Sequence, residues 1–359
     1  MKHLLLLKTL KNSWAEIIKY LLAFGAVLLI GACLIVFQGE DPGKAISAIF
    51  VGSLGDTYYL GNTIRWIIPC ILSGMAAMVA FKSGVFNLGI EGQIYMGGFF
   101  AAMAGYYLNL PPVLHAIVSV LIGGIGGLLY ALLPSLLKLF FRIDEMIITL
   151  MLNYTAVLIT EFFTVLVMGV TPTFDSKALQ TPIVKDTARL PVIISGTYAN
   201  VGIFIGLGVV LIIFLIYRYT VKGYELKQVG ENIRYSKVGG VNVVQTFVMI
   251  FLISGFIAGL CGSVEALGAH GRFVSRFSNN LGWDGIMISM IARHSPFGVL
   301  IVSTLWGILK SGALHMERVT DINRLTVVLI QALFVLFVTI NYSKIFTFFT
   351  RHSHKKADV

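Results

Sequence analysis

The sequence predicts an all-α integral membrane protein of about ten transmembrane segments, with an inverted repeat and both termini on the cytoplasmic side. Three observations lead to that class. Of the 359 residues, 57% are hydrophobic and only 12% charged, and mean hydropathy is +0.86. A soluble domain carries about 25% charged residues, so this chain cannot clothe a water-facing surface. Apolar stretches long enough to cross a bilayer recur along the chain, each near the ~20 residues a helix needs. The formal net charge of +10 gathers in clusters that abut those stretches: Lys2 to Lys19, Lys138 to Arg142, Arg218 to Lys237 and Arg351 to Lys356. Basic loops mark the cytoplasmic face, and their place beside hydrophobic spans argues against a nucleic-acid partner.

Taken in order, the first element is a short Leu4 to Leu7 run broken by Lys8 and Lys11, with no small-residue cleavage site. It reads as a basic interfacial lead-in rather than a removed leader. Spans follow near 17–37, 62–82, 90–109, 113–137, 146–169, 201–219, 246–267, 296–314 and 325–343. A poorer apolar segment at about 283–293 has only the length of a half-helix. With the start inside, the basic loops 138–145 and 218–245 fall in the cytoplasm and the mixed-charge loop 170–200 falls outside. Counting the short segment as a crossing returns the basic tail to the cytoplasm. Residues 1–359 therefore read as one transmembrane domain, with half-repeats at 60–170 and 246–343. Cys33, Cys70 and Cys261 all lie in spans, so no disulfide framework is expected.

Two polar islands interrupt this pattern. Phe86 to Gly98 reads FNLGIEGQIYMGG, and Asn280 to Gly285 reads NLGWDG against NLGIEG. Each follows a span with a similar phrase, Leu72-Ser-Gly-Met-Ala-Ala77 and Ile253-Ser-Gly-Phe-Ile-Ala258, and the two spans run in opposite directions. Related halves of opposite orientation are an inverted repeat, which in transporters puts the substrate path at the repeat interface. A carboxylate at mid-bilayer costs at least ~2.5 kcal/mol, so Glu91 needs a reason. Asn87 could cap a helix whose first turn favours an acid. Alternatively, glycines let a broken helix line a polar path. The two readings are compatible, and Asn280 with Asp284 repeats the logic.

The other polar residues within spans are Arg65, Asn153, Glu161, Glu265, Lys310 and Gln331. Arg65 and Lys310 lie near enough to span ends to snorkel. Glu161 and Glu265 suit interhelical hydrogen bonds or substrate contact. Gly123 to Gly127 and Gly255 to Gly259 have the spacing for close helix packing, and Asp144-Glu145 suits a helix start. No histidine pair has metal-ligand spacing, so neither a metal nor another cofactor is expected. Gly43-Lys44 lacks the rest of a nucleotide-binding loop, so any ATP would be hydrolysed on another chain. The charged stretch Tyr224 to Val243 holds a short helix at 231–238, stopped by Gly239 and Gly240.

Five phrases occur in one order: GVFNLGIEGQ, IDEMIITLMLNY, ELKQVGENIRYSKVGGVN, SGFIAGLCGSVEALG and NNLGWDGIMISMI. Together, from about residue 40 to 340, they resemble the permease subunits of bacterial ABC importers for nucleosides, within the wider ribose and branched-chain amino-acid permease group. The resemblance implies a non-catalytic subunit of the cytoplasmic membrane that works by alternating access. Its partners would be an ABC ATPase, a second and different permease, and an extracellular substrate-binding lipoprotein. It also implies that the loop at 220–245 is the coupling segment, through Gly230, Glu231, Asn232, Gly239 and Gly240. The chain departs from the usual form at Ile233, Arg234 and Ser236, where a proline and alanines are common. For a neutral nucleoside the expected path residues are Asn87, Gln93, Asn153 and Asn280, together with the acids Glu91, Glu161, Glu265 and Asp284. A sugar or branched-chain amino acid is the alternative cargo, and an ion-coupled secondary transporter the alternative mechanism.

Overall fold

The computed structural model describes residues 29–168 except 34, residues 179–320, and 322, 325–329, 332 and 333. Most of the expected spans at 17–37 and 325–343, and the tail beyond, lie outside the described residues. The helices are α1 (Pro42–Leu54), α2 (Thr57–Lys82), α3 (Ile90–Tyr107), α4 (Leu114–Phe141), α5 (Glu145–Met168) and α6 (Gly202–Tyr219). They continue as α7 (Val221–Glu231), α8 (Ile233–Val238), α9 (Val243–Val264, prolonged as a π-helix over Glu265–His270), α10 (Leu281–Ile291) and α11 (Pro296–Val319). Among the described residues there is no strand, only isolated bridges pairing Gln180 with Val274 and Val192 with Asn200.

Among the described residues, six helices are long and apolar enough to cross a membrane: α2, α4, α5, α6, α9 with its π-helical turn, and α11. The chain is thus a multi-pass membrane protein. The expected span at 90–109 forms a helix but is not among the six. Its Glu91, Gln93 and Gly92, Gly97, Gly98 and Gly105 lower its hydropathy. Such a helix is tolerated because α4, α5 and α9 surround it in place of lipid. The segment expected at 283–293 is the eleven-residue α10, the half-helix its length suggested. The thirteen-residue α1 was not anticipated. Pro42 begins it, where a missing N–H costs nothing, and Asp41 accepts from the Gly43 N–H at 2.8 Å.

The chain divides into two compact units, Ile49–His315 and Met1–Ala48 with Met316–Val359. In the latter, Ile35, Ile322 and Val327 are buried, and Gln38 donates to the Thr326 hydroxyl at 3.3 Å. In the former, α2 and α9 form the interior: 72% and 67% of their apolar windows are buried, against 28% for α5 and α6. The two cross antiparallel, and α3 runs parallel to α9. Glycine sets the closeness of the α3, α4 and α9 packing. A Cβ on Gly97 would lie 2.4 Å from Gly259 Cα, and one on Gly127 would lie 2.4 Å from the Gly255 carbonyl oxygen. The glycine-rich stretches at 123–127 and 255–259 therefore pack against each other, as their spacing indicates. Asp144 starts α5 by accepting from the Met146 N–H at 2.9 Å, and Glu145 pairs with Lys138 at 2.6 Å.

The phrase-bearing long helices exchange partners. α2, with Ser73, packs on α10, and α9, with Ser254, packs on α3. A Cβ on Gly285 would lie 2.4 Å from the Ser73 carbonyl carbon. On the other side, Ser254 bonds Asn87 just before α3 at 2.9 Å.

Candidate functional site: a charge-paired polar interior

Both islands become helix starts, and they touch. The α3 N-cap is Gly89, with no side-chain cap bond, so Asn87 does not occupy the cap position. Instead Asn87 accepts from the Gly89 N–H at 3.0 Å and exchanges hydrogen bonds with Gln93 at 3.0 and 3.2 Å. Its amide also donates to the Ser254 hydroxyl, which donates onward to the Ala76 carbonyl at 2.9 Å. One fully buried asparagine thereby ties α2, α3 and α9 together. The first-turn donors of α3 find partners on α5. Asn153 accepts from the Gly92 N–H and donates to the Leu88 carbonyl, both at 2.8 Å, and Thr149 accepts from the Leu88 N–H at 3.2 Å.

With its own helix start satisfied this way, Glu91 reaches out. Its carboxylate accepts from the Gly282 N–H at 2.6 Å, inside the first turn of α10. There it meets both an orphan donor and the positive end of the helix dipole. The approach is backbone-close: a Cβ on Gly282 would lie 2.5 Å from the Glu91 nitrogen. The turn leading into α10 holds Arg276, Asn279 and Asn280 at φ of 62°, 47° and 70°. Left-handed backbone is uncommon outside glycine, and its clustering here shapes the second island. Asn280 is the α10 N-cap, again without a side-chain bond.

Arg65 and Lys310 do not snorkel, because each has a buried acid to neutralise. Arg65 meets Glu265 at 2.7 Å, with side chains 12% and 3% exposed. Lys310 bonds Asp284, with side chains 17% and 8% exposed. Trp66 joins the pairs, its ring centroid 3.9 Å from the Arg65 guanidinium carbon and 5.0 Å from the Lys310 ammonium. His270 stands 3.7 Å from Glu265. Glu161 hydrogen-bonds Ser275 in the turn before α10. The structure thus gathers Asn87, Glu91, Gln93 and Asn153 at one island and Asn280 and Asp284 at the other. Glu265 stands beside them across Trp66. Arg65 and Lys310 were expected to snorkel, and Trp66, Ser254 and Ser275 were not expected at the site. The available signal was balance: two bases within spans matched two acids that needed partners.

At the other end, α7 and α8 refine the predicted short helix. The helix expected at 231–238 starts at Ile233, with Asn232 as cap, accepting from the Arg234 and Tyr235 N–H groups at 3.0 Å. Gly239 closes it, and Gly240 follows at φ +81°. Ile233, Tyr235 and Val238 are exposed, Val238 by 88%. Gly230, by contrast, faces inward against the end of α2.

Spanning helices closed around a polar, charge-paired interior, with a basic surface segment, define a multi-pass membrane transport component rather than an anchor. The chain belongs to the family described as branched-chain amino acid transport system / permease component, whose profile matches residues 59–338. It is similar to the guanosine ABC transporter permease protein NupP of Bacillus subtilis, 31% identical across 94% of this chain and 96% of that one. Similarity extends to the nucleoside ABC transporter permease protein NupB of Lactococcus lactis, 26% identical across 86% and 87%. The glucose ABC transporter permease protein TsgB13 of Haloferax volcanii is 27% identical across 87% and 84%. These are membrane components rather than catalytic subunits.

Proposed function

We propose that this chain is the permease subunit of an ATP-driven importer that carries nucleosides across the bacterial cytoplasmic membrane. The observation that carries the reading is the likeness to NupP over nearly the full length of both chains. The interior supports it. The buried bases Arg65 and Lys310 each face an acid, and Glu91 faces a helix start. With these charges matched, the site presents a solute with polar groups and little net charge, chemistry suited to a neutral nucleoside. Asn87, Glu91, Gln93, Asn153, Glu161, Glu265, Asn280 and Asp284 line or brace the path. The halves 60–170 and 246–343 form the inverted repeat, for which the exchanged packing of α2 and α9 is the support.

In this reading α7 and α8 face the cytoplasm, and an ABC ATPase docks on the exposed apolar and basic groups of α8. A second permease completes the pore, and a lipoprotein outside delivers the solute. ATP binding draws the docking segments together and rocks the helices. The solute drives the cycle only by binding one conformation better than the other. Guanosine uptake into proteoliposomes holding the whole complex tests this. ATP-dependent accumulation is expected. Uptake by this chain alone under a proton or sodium gradient would instead establish a secondary transporter. The likeness to TsgB13 favours a second cargo, a sugar, and competition of guanosine uptake by glucose separates the two.

A further inference from the structure

The family resemblance places Gly230 in the coupling segment, and in the fold it is an internal joint. A Cβ there would lie 2.4 Å from the Lys82 carbonyl oxygen, 2.8 Å from the Ser83 carbonyl carbon and 2.9 Å from Ser83 Cα. Gly84, at φ +73°, answers from the other side: its Cβ would lie 3.0 Å from Gly230 Cα. These neighbours are backbone atoms, which cannot swing aside as a side chain can. Near its C-terminal end, α7 therefore rests main chain to main chain on the end of α2.

The contact is locked from both flanks. Leu226 of α7 is buried in one cluster with Ala80 and Val85 beside the end of α2, and Ile250 and Phe251 of α9. The Ser83 hydroxyl, itself buried, pairs with the Tyr217 hydroxyl at 3.0 Å, and Tyr217 donates to the Val79 carbonyl at 3.3 Å. Lys82 lies 5.0 Å over the Tyr217 ring and donates to the His294 carbonyl at 3.2 Å. From this joint the chain leads to both islands. Asn87, which holds Gln93 and Ser254, comes three residues after Gly84. His294, which takes the Lys82 ammonium, comes three residues after the last residue of α10.

We propose that Gly230 is the positioning residue through which displacement of α7 and α8 reaches the two islands, so that its missing side chain sets how tightly ATP hydrolysis is coupled to transport. The inference rests on the importer reading. Packed backbone transmits displacement because it has no compliant side chain between the moving parts. A side chain at this position wedges α7 away from α2 and lets α7 move without carrying the islands.

The test is uptake of radiolabelled guanosine and ATP hydrolysis measured together in proteoliposomes holding the full complex. The chains compared are wild type, Gly230→Ala, Gly230→Val and Tyr217→Phe, with Gly208→Ala, which has open space around it, as the control. Gly230→Val is expected to hydrolyse ATP within about twofold of wild type while guanosine carried per ATP falls at least tenfold. Gly230→Ala should fall between them and Gly208→Ala should match wild type. A purely structural defect would lower both rates together and leave the ratio unchanged. An unchanged ratio in Gly230→Val overturns the proposal. If that variant does not assemble, an unchanged ratio in both Gly230→Ala and Tyr217→Phe overturns it, and a lowered ratio in either supports it. Absence of ATP-dependent uptake in wild type sinks the importer reading itself, and the coupling role with it.

Discussion

Changing Glu265 to Gln strands the Arg65 guanidinium in the interior, where its side chain is 12% exposed and its counter-charge had stood 2.7 Å away. Among the described residues Glu265 is the acid paired with Arg65. The Trp66 ring at 3.9 Å is already engaged, and His270, 3.7 Å from Glu265, brings no negative charge. Breaking a buried ion pair by removing one partner costs roughly 3–5 kcal/mol. At about 1.4 kcal/mol per tenfold, that is a loss of two to nearly four powers of ten in the folded-to-unfolded ratio. Removing both charges, as Arg65→Met with Glu265→Gln, leaves nothing stranded and gives up about 1 kcal/mol of contact with Trp66. The double variant should therefore sit close to wild type, and the single one far below it. Equilibrium unfolding of the full chain in detergent micelles, followed by helical signal, reads the difference. A single variant as stable as wild type, or a double variant as damaged as the single, would refute the coupling of these charges.

Four further outcomes follow from the same geometry. Glu91→Ala should weaken the junction of the islands by about 1.5–3 kcal/mol, the worth of a hydrogen bond to a charged group. Uptake should fall with it, and wild-type uptake would leave Glu91 as a bystander. Asn153→Ala frees the Gly92 N–H and the Leu88 carbonyl together and should lower unfolding stability by ~1–3 kcal/mol; Asn153→Asp, which keeps only the acceptor, should lose part of it. Asn232→Ala removes the α8 cap, worth ~1 kcal/mol, and should reduce co-purification of the ATPase while α2 to α6 stay folded; full recovery of the ATPase would separate that cap from docking. Burial, and then Lys82, hold the His294 imidazole below its usual pKa. The unfolded chain takes up this proton near pH ~6.5, the folded chain only at lower pH. Stability is therefore complete above that value and declines as pH falls through it, and His294→Gln should flatten the decline between pH 7.5 and 5.5.

Helix positions were legible wherever lipid dictates composition. The spans read at 113–137 and 201–219 became α4 and α6 with ends moved by a few residues, because outward-facing helices must be apolar. The islands were visible for the converse reason, since polar groups at that depth stand out. Elements that obey neither rule were not legible. α1 is too short to register as a span, and α7 was hidden in a stretch that reads as a loop because one partner that holds it, the end of α2, lies far back in the chain. Arg65 and Lys310 were misread for the same reason. A base near a span end looks like a snorkel until the fold sets Glu265, 200 residues away, beside Arg65. The packing of Gly230 lay beyond reach too: a glycine beside a helix end could cap, turn or pack, and only the backbone of residues 82–84 decides.

The exchanged packing bears on how the molecule is made. Ser73 on α2 waits for Gly285 on α10, about 200 residues further along the chain. At roughly 5–20 residues per second of synthesis, α2 spends ~10–40 s in the membrane before its mate is translated. Its waiting face carries Ser73 and Gly74, small groups that leave little unmet demand in lipid. The first half can therefore insert early without being finished. Two fragments divided in the 170–200 loop should regain activity when synthesised together, and neither should mature when synthesised alone.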